Sequence, residues 1–461
     1  MSKAVGTKEK RIFEEMPIRK AVVSLAVPTV ISQLIVLVYN MADTWFIGQT
    51  RDPYQVAAVT VCYPIFMLLN AIANLFGIGG GSLISRLLGR NDYKNAGKVA
   101  TFTLWASGLF TLVYSAVVFF AGDYLLRALG TDEGTFTYAS DYLFWTMVVG
   151  GFFTVLNLVI ANLVRAEGGA KIASIGMSIG GILNMILDPI FIFVLGLNVA
   201  GAAIATGLSN VISLVFLMQY YVRTRKNSAV KATVLPQVID GQNLKELLSI
   251  GTPAALTILL AAISNSVLLN IMSAYSSAAI SGVGVMQKVE IIPFQIAQGI
   301  SSGVLPLVAY NYAAGKKQRM RDAIRFALSI ELVIAVISLI TLELFASSVV
   351  GFFVPDASTI EFGSSFLRLR ILALPFITVE FTLIAVFQGI GGAKQAFVLS
   401  LLRKGIIDLP LMILANRIWP MYGVMLVQPF MELLGGSIAV WMYLHLHKKQ
   451  IITETEMKSI A

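Results

Sequence analysis

The chain has one cysteine, Cys62, and two histidines, His445 and His447, among 461 residues. A single thiol excludes an internal disulfide, and two neighbouring imidazoles near the end of the chain are too few for a metal centre or a catalytic triad. Charge is scarce as well. Asp, Glu, Lys and Arg make up 13% of the residues and hydrophobic residues 57%, against about 25% charged in ordinary soluble domains. So few charges cannot cover a water-facing surface, which excludes a soluble enzyme, a disordered tail and a disulfide scaffold. No stretch reads as a P-loop, leaving no site for ATP. Gly77-Ile78-Gly79-Gly80-Gly81-Ser82 lacks the third glycine of a dinucleotide fingerprint and lies inside an apolar run, where close helix packing explains it better. No serine or cysteine has a base partner that would make it a nucleophile. These exclusions leave an all-α integral membrane protein.

Apolar stretches of about 20 residues span a bilayer as helices. Twelve such stretches stand at roughly 20–47, 56–79, 97–121, 138–161, 172–194, 200–221, 248–273, 280–308, 324–345, 366–387, 396–416 and 422–445. Their continuity excludes barrel strands, which alternate in short segments. The loops after the second, fourth, sixth and eighth spans carry Arg86, Arg90, Lys94, Lys98, Arg165, Lys171, Arg223, Arg225, Lys226, Lys231, Lys245, Lys316, Lys317, Arg319, Arg321 and Arg325. The alternate loops hold only Arg51, Arg127 and Arg417. With the leader from Lys8 to Lys20, Lys394 and the tail, about 26 of the 34 basic residues fall on one side. Positive charge marks the cytoplasmic face, so both termini are expected in the cytoplasm. The net charge of +9 reports topology and contact with anionic lipid, with no nucleic acid implied.

The polar stretch from Arg223 to Gln242 divides the chain six spans to six. Arg165-Ala166-Glu167-Gly168-Gly169-Ala170-Lys171 matches Gln388-Gly389-Ile390-Gly391-Gly392-Ala393-Lys394 at a shift of 223, and Pro28 matches Pro253, as Asn40 matches Asn265, at 225. A Gly-Arg-Asn turn at Gly89 is echoed by Gly-Lys-Lys at Gly315. Six is even, so the second half enters the membrane with the orientation of the first. The expected architecture is two six-helix lobes, 1–222 and 248–461, joined by a cytoplasmic linker at 223–247. A parallel repeat relates them, in a V shape with a central cleft. Duplicated bundles of this kind are typical of alternating-access carriers.

Ionisable groups inside a span cost about 2.5–3.5 kcal/mol each at the helix centre, so each needs a reason. Asp43 lies fifteen residues beyond Pro28 on the first span, with Tyr39 one turn earlier on the same face. The proline is expected to kink that helix. In Asn184-Met185-Ile186-Leu187-Asp188-Pro189 the amide and the carboxylate share a face of the fifth span, and Thr206 stands among small residues on the sixth. Two carboxylates, an amide and a hydroxyl form a hard-oxygen set for a proton or Na⁺, with no sulfur or imidazole to hold zinc. The competing reading places Asp43 and Asp188 at the outer interface, solvated. Asn157 on the fourth span is equally a binding residue or a link between helices.

These elements resemble the MATE family of multidrug and toxic compound extrusion transporters. The resemblance rests on the Pro28/Asp43 helix, Arg165-Ala166-Glu167-Gly168, Leu183 to Pro189, Gly201-Ala202-Ala203 and Gln388-Gly389-Ile390-Gly391. It implies a secondary transporter of the cytoplasmic membrane of a bacterium or archaeon, not an enzyme. Its role would be export of amphipathic, often cationic compounds in exchange for H⁺ or Na⁺, without a cofactor and as a monomer. The family's N-lobe cation site carries onto Asp43, Asn184, Asp188 and Thr206, with Tyr39 and Asn157 nearby. The seventh span holds no acid and Leu268 stands at the repeat position of Asp43, so coupling is expected in the first lobe alone, as in the DinF-like branch. Glu290, Glu331, Glu380, Asp408 and Glu432 on later spans are left without an assigned role, Glu290 being either drug-contacting or ion-paired with nearby Lys288. Arg403 and Lys404 are expected to snorkel or to pair with Asp408. Two other functions compete: a flippase for a lipid-linked oligosaccharide, which needs a strongly cationic cavity, and a membrane-embedded transferase, which needs an interfacial His/Asp or two-acid constellation.

Overall fold

The structure is a computed structural model describing residues 11–224, 230, 231, 233, 235–405 and 407–460, the side chains of 224 and 447–460 excepted. Lys8, Arg225, Lys226 and the His447 side chain lie outside the described residues. After a short π-helical turn, Arg11–Glu15, the first half contains α1 (Ile18–Gln49), α2 (Pro53–Gly89), α3 (Tyr93–Ala128), α4 (Glu133–Leu143), α5 (Gly151–Ala166), α6 (Ala170–Pro189) and α7 (Asn198–Thr224). The second half contains α8 (Gly241–Ser273), α9 (Ser277–Ala313), α10 (Lys317–Phe353), α11 (Ala357–Ile371), α12 (Leu374–Ile390), α13 (Ala393–Arg403), α14 (Asp408–Ile418) and α15 (Tyr422–Ile460). Among the described residues there is no strand.

Nine of these helices are long and apolar enough to cross a membrane alone; α4 with α5 (bent by 46°) and α11 with α12 (49°) supply two more spans. The expected eleventh span is not one helix. It is broken between Arg403 and Asp408 into α13 and α14, each of 11 residues. With it the architecture is twelve spans in two lobes. Contrary to a simple break, α1 continues as one helix through Pro28.

The turns repeat with the helices. Asp52 caps α2 and Ser276 caps α9; Asp132 caps α4 and Asp356 caps α11, each side chain accepting a backbone N–H two or three residues on. Hydrogen bonds from Thr135 to Asp132, and from Ser358 and Thr359 to Asp356, hold both carboxylates below the usual range. Left-handed residues pair likewise: Gly168 (φ +80°) with Gly391 (+81°), and Asn91 (60°) with Gly315 (73°). The turn equivalent to Gly315 therefore centres on Asn91, and Gly89, which the sequence pattern had matched to it, serves another purpose.

That purpose is contact between lobes. A Cβ at Gly89 would fall 2.3 Å from the Tyr310 carbonyl oxygen, one at Gly251 2.0 Å from that of Leu75, and one at Gly303 2.8 Å from that of Leu25. In lipid, apolar burial gives helices no special reason to associate, and backbone approach at small residues supplies the dispersion contact instead. The start of α1 thus packs on the end of α9, and the end of α2 on the start of α8. All these contacts lie at the end of the bundle that carries the basic loops. Leu25, Leu83, Leu247 and Leu307 join one buried cluster there.

Polar contacts reinforce this end. Arg86, 1% exposed, donates to the Gln388 carbonyl (3.2 Å) and pairs with Glu246 at 3.2 Å. The leading turn docks on the opposite lobe: Arg319 donates to the carbonyls of Phe13 and Met16, both at 2.6 Å, and Tyr310 donates to Glu14 at 2.6 Å.

Candidate functional site

The polar residues expected inside the first lobe meet where α1, α6 and α7 converge. Helical spacing puts Asn184 and Asp188 one turn apart on α6. Gly181, one turn before Asn184, lets α1 come close, since a Cβ there would sit 2.9 Å from Tyr39 Cδ1 and from Ile35 Cγ2. That approach turns the Tyr39 and Asp43 face of α1 toward α6. Asn184 Nδ2 donates to Asp188 Oδ1 and to Thr206 Oγ1, both at 3.1 Å, tying α6 to α7. Asp188 is 0% and Asn184 1% exposed, whereas Tyr39, Asp43 and Thr206 are half-buried. Asp43 and Asp188 lie within electrostatic reach of each other.

Three oxygens of this cluster, Asp43 Oδ1, Asn184 Oδ1 and Asp188 Oδ2, are buried without a hydrogen-bond donor. Buried acceptors are ordinarily satisfied, and three orphans in one place form a ready acceptor set for a proton or a small hard cation. The set contains only oxygen, and the solvated interfacial reading does not fit a fully buried Asp188.

Asn157 stands in an adjoining network. It donates to Asn210 Oδ1 (3.0 Å) and accepts from Ser213 (2.8 Å), while Asn210 donates to the Thr206 carbonyl (3.0 Å) and to Thr154 (3.1 Å). The link between α5 and α7 thus runs directly into the cluster of Asp43, Asn184, Asp188 and Thr206. Tyr142, on α4, lies within electrostatic reach of Asp43 and Tyr39. Neither Tyr142 nor Asn210 was singled out from sequence, because one tyrosine or asparagine in a span carries no spacing signal until its neighbours on other helices are known. Pro28 is apart from the cluster, roughly 22 Å along α1 from Asp43 at helical rise.

Glu290 is elsewhere. It lies in the second lobe, paired at 3.1 Å with Arg370 of α11 and not with Lys288, both side chains 7% exposed. Removing one partner of such a pair leaves a buried charge alone, at about 3–5 kcal/mol. Glu290→Ala is therefore expected to lower thermal stability sharply in detergent, and Glu290→Met with Arg370→Met to restore it; an unchanged melting temperature in the single variant refutes a structural role for the pair. Three of the other second-lobe acids are also engaged: Glu331 accepts from Ser301 (3.0 Å) and Thr382, Asp408 accepts from Ser264, and Glu432 pairs with Arg403 at 3.2 Å; both oxygens of Glu380 are buried without a donor. Arg403 thus meets Glu432 and not Asp408, and Lys404 donates to Gln428 at 3.4 Å.

Known proteins share this architecture. The MatE family profile matches residues 28–190 and again 253–414, once in each half. The multidrug export protein MepA of Staphylococcus aureus (strain MSSA476) is 31% identical over 412 residues, covering 89% of this chain and 90% of the relative. MepA of Staphylococcus haemolyticus (strain JCSC1435) is 29% identical over 445 residues, covering 96% and 97%. A crystal structure of MATE in complex with MaL6 superposes with a TM-score of 0.90 at 25% identity, covering 96% of this chain and 99% of that one. An outward-facing conformation of a multidrug resistance MATE family transporter gives 0.88 at 25% identity, covering 96% and 98%. With both halves matched and nine-tenths of a relative aligned, the chain belongs to the MatE family and is a membrane transporter, not an enzyme.

Proposed function

We propose that the protein is a cation-coupled antiporter that exports amphipathic, often cationic organic compounds by alternating access. The observation that carries this reading is the set of three donorless oxygens on Asp43, Asn184 and Asp188. Export of drugs is in line with the relatives named multidrug export proteins. The lobes are taken as 1–222 and 248–461, the chain as a monomer of the cytoplasmic membrane with both termini in the cytoplasm. On that orientation the glycine-lined contacts and Arg86 close the cytoplasmic end.

The cycle follows from electrostatics. With the cluster facing outward, a proton or Na⁺ occupies the oxygens of Asp43 and Asp188 and removes the cost of two neighbouring buried negative charges. The neutralised cluster permits α1 and α6 to repack, the outer side closes and the inner seal parts. The cation leaves inward and a new drug molecule enters. Cation and drug each weaken binding of the other, a reciprocal coupling. One positive charge moving inward gains about 2.3 kcal/mol per 100 mV.

The test is drug efflux from reconstituted vesicles under an imposed pH gradient or an imposed Na⁺ gradient. One of the two is expected to drive accumulation against the drug's own gradient. Equilibration without accumulation under both refutes coupling.

A further inference from the structure

The leading turn, Arg11–Glu15, belongs to the first lobe by its chain and to the second by its contacts. Only Met16 and Pro17 separate it from α1. Phe13 is nevertheless 0% exposed, its ring centred 4.9 Å from that of Tyr310 on α9. The backbone of the turn is held by the second lobe as well. Asn311 of α9 donates to the Phe13 carbonyl at 3.2 Å. Arg319 of α10 donates to the carbonyls of Phe13 (2.6 Å), Met16 (2.6 Å) and Ile12 (3.3 Å). Glu14 pairs with Lys316 at 2.6 Å besides accepting from Tyr310. The tip of the Phe13 ring reaches the first lobe at Gly168, where a Cβ would lie 3.3 Å from Phe13 Cζ. One buried aromatic ring thus touches both lobes at the basic end.

These contacts cannot all survive a separation of the lobes there. A Cβ at Gly303 or Gly299 of α9 would lie 2.8 Å from the Cα of Ala26 or Val30, so opening at this end carries the start of α1 away from the end of α9. The leading turn is bonded to α9 and α10, and Met16 is itself fixed through its carbonyl. Pro17 is left as the link to α1. Its backbone is already extended (φ −50°, ψ 135°), and the ring fixes φ. One extended residue spans at most about 3.6 Å, so the chain holds no slack. Either the Arg319 bonds break or the first turns of α1 unwind. Unwinding would expose Ala21 and Val22, both 0% exposed. Arg319 is only half-buried, and its bonds can be exchanged for bonds to water at small net cost. Release from Arg319 is the easier event. The linker is seated in a related way: Thr233 N–H donates to Thr101 Oγ1 of α3 at 2.9 Å, and a Cβ at Gly97 of α3 would lie 2.9 Å from the Lys231 carbonyl oxygen. The first helix of each half is therefore entered from a segment seated on the third helix of the other half.

We propose that the leading turn is a latch across the seam between the lobes. Seated, it holds the basic end closed through Phe13; each opening of that end requires it to come off Arg319 and Lys316. Its part in transport rests on the alternating-access reading, whereas the latch itself is measured by opening of the seam.

The full chain in vesicles, with Cys62→Ala, supplies both measurements. A cysteine placed at the seam by Ala26→Cys is labelled with a membrane-impermeant maleimide from the side of the basic loops. Arg319→Ala and Phe13→Ala are each expected to raise the labelling rate about tenfold or more, since hydrogen bonds to a charged group or the buried ring are lost. The double variant should match the faster single one, because both open one latch. Arg321→Ala, two residues along α10 and outside these contacts, should leave the rate unchanged. Arg319→Ala carries the test should Phe13→Ala fail to fold. Labelling at the native rate in the latch variants overturns the proposal. In a second chain, Glu14→Cys and Lys316→Cys are joined by a short, reducible thiol crosslinker. Drug efflux is expected to fall to background on crosslinking and to return on reduction; unchanged efflux with the turn covalently held also overturns the proposal. If labelling rises as expected while neither a pH nor a Na⁺ gradient drives accumulation, the antiport reading fails and the latch stands.

Discussion

Asp188→Asn is expected to abolish gradient-driven drug accumulation while leaving the protein folded. The asparagine keeps the shape of the side chain, and its carbonyl oxygen still accepts from Asn184, which donates to Asp188 Oδ1 at 3.1 Å in the native protein. The amide nitrogen replaces Oδ2, one of the donorless oxygens, and brings a donor to the cluster. Folding loses no bond and gains relief from a second buried acid near Asp43, so thermal stability in detergent should hold or rise. Transport has no such compensation. A permanently neutral residue cannot take up a charge on one side and discharge it on the other. A potential of about 100 mV supplies about 2.3 kcal/mol per net charge moved, so for an uncharged drug the ratio accumulated is expected to fall roughly fifty-fold. Asp43→Asn should do the same. Drug binding without a gradient should survive in both variants, which separates lost coupling from a damaged cleft. Accumulation at the native level in both variants, under both gradients, removes the first lobe from the coupling mechanism.

What the sequence made legible follows from what lipid forbids. Apolar runs announce spans because every backbone group in the membrane must bond within its own helix. Asp43 and Asp188 announce a site because acids interrupt those runs, and Asn184 joined them through helical spacing alone. The repeat was visible in Gly168 and Gly391 because both occupy left-handed backbone (φ +80° and +81°) where a side chain is costly. Partners across helices were not legible. Arg370, eighty residues from Glu290 in the chain, displaced neighbouring Lys288 as its partner, and Glu380 gave no hint that Glu432 faced it. The break in the eleventh span was hidden as well, since apolar Ile406 and Ile407 continue the hydrophobic run across it. Hydropathy records which residues tolerate lipid; it does not record where the helical ladder opens.

Closure at the basic end rests on backbone-to-backbone approach, so one added side chain there should have an effect out of proportion to its size. Gly251→Val is the sharpest case. Its Cβ alone would lie 2.0 Å from the Leu75 carbonyl oxygen and 2.8 Å from the carbonyl carbon, and neither can move without shifting α2 as a rigid rod. Both lobes retain their own cores, so the protein is expected to insert and fold, but the end of α2 can no longer seat against the start of α8. The ion pair between Arg86 and Glu246, which spans the same junction, then parts. Such a variant should populate arrangements open at that end and export poorly, at about a tenth of the native rate or less, the closed state losing several kcal/mol to overpacking. The scarcity of cysteine makes this directly measurable. Cys62 is fully buried and can be replaced by alanine, after which Ala26→Cys, buried against Gly303 of the opposite lobe, reports on the seam. A membrane-impermeant maleimide applied from the side of the basic loops should label that cysteine slowly in the native background and rapidly with Gly251→Val. Equal, slow labelling in both, with native efflux, means that the lobes do not separate at this seam and that access alternates by some other movement.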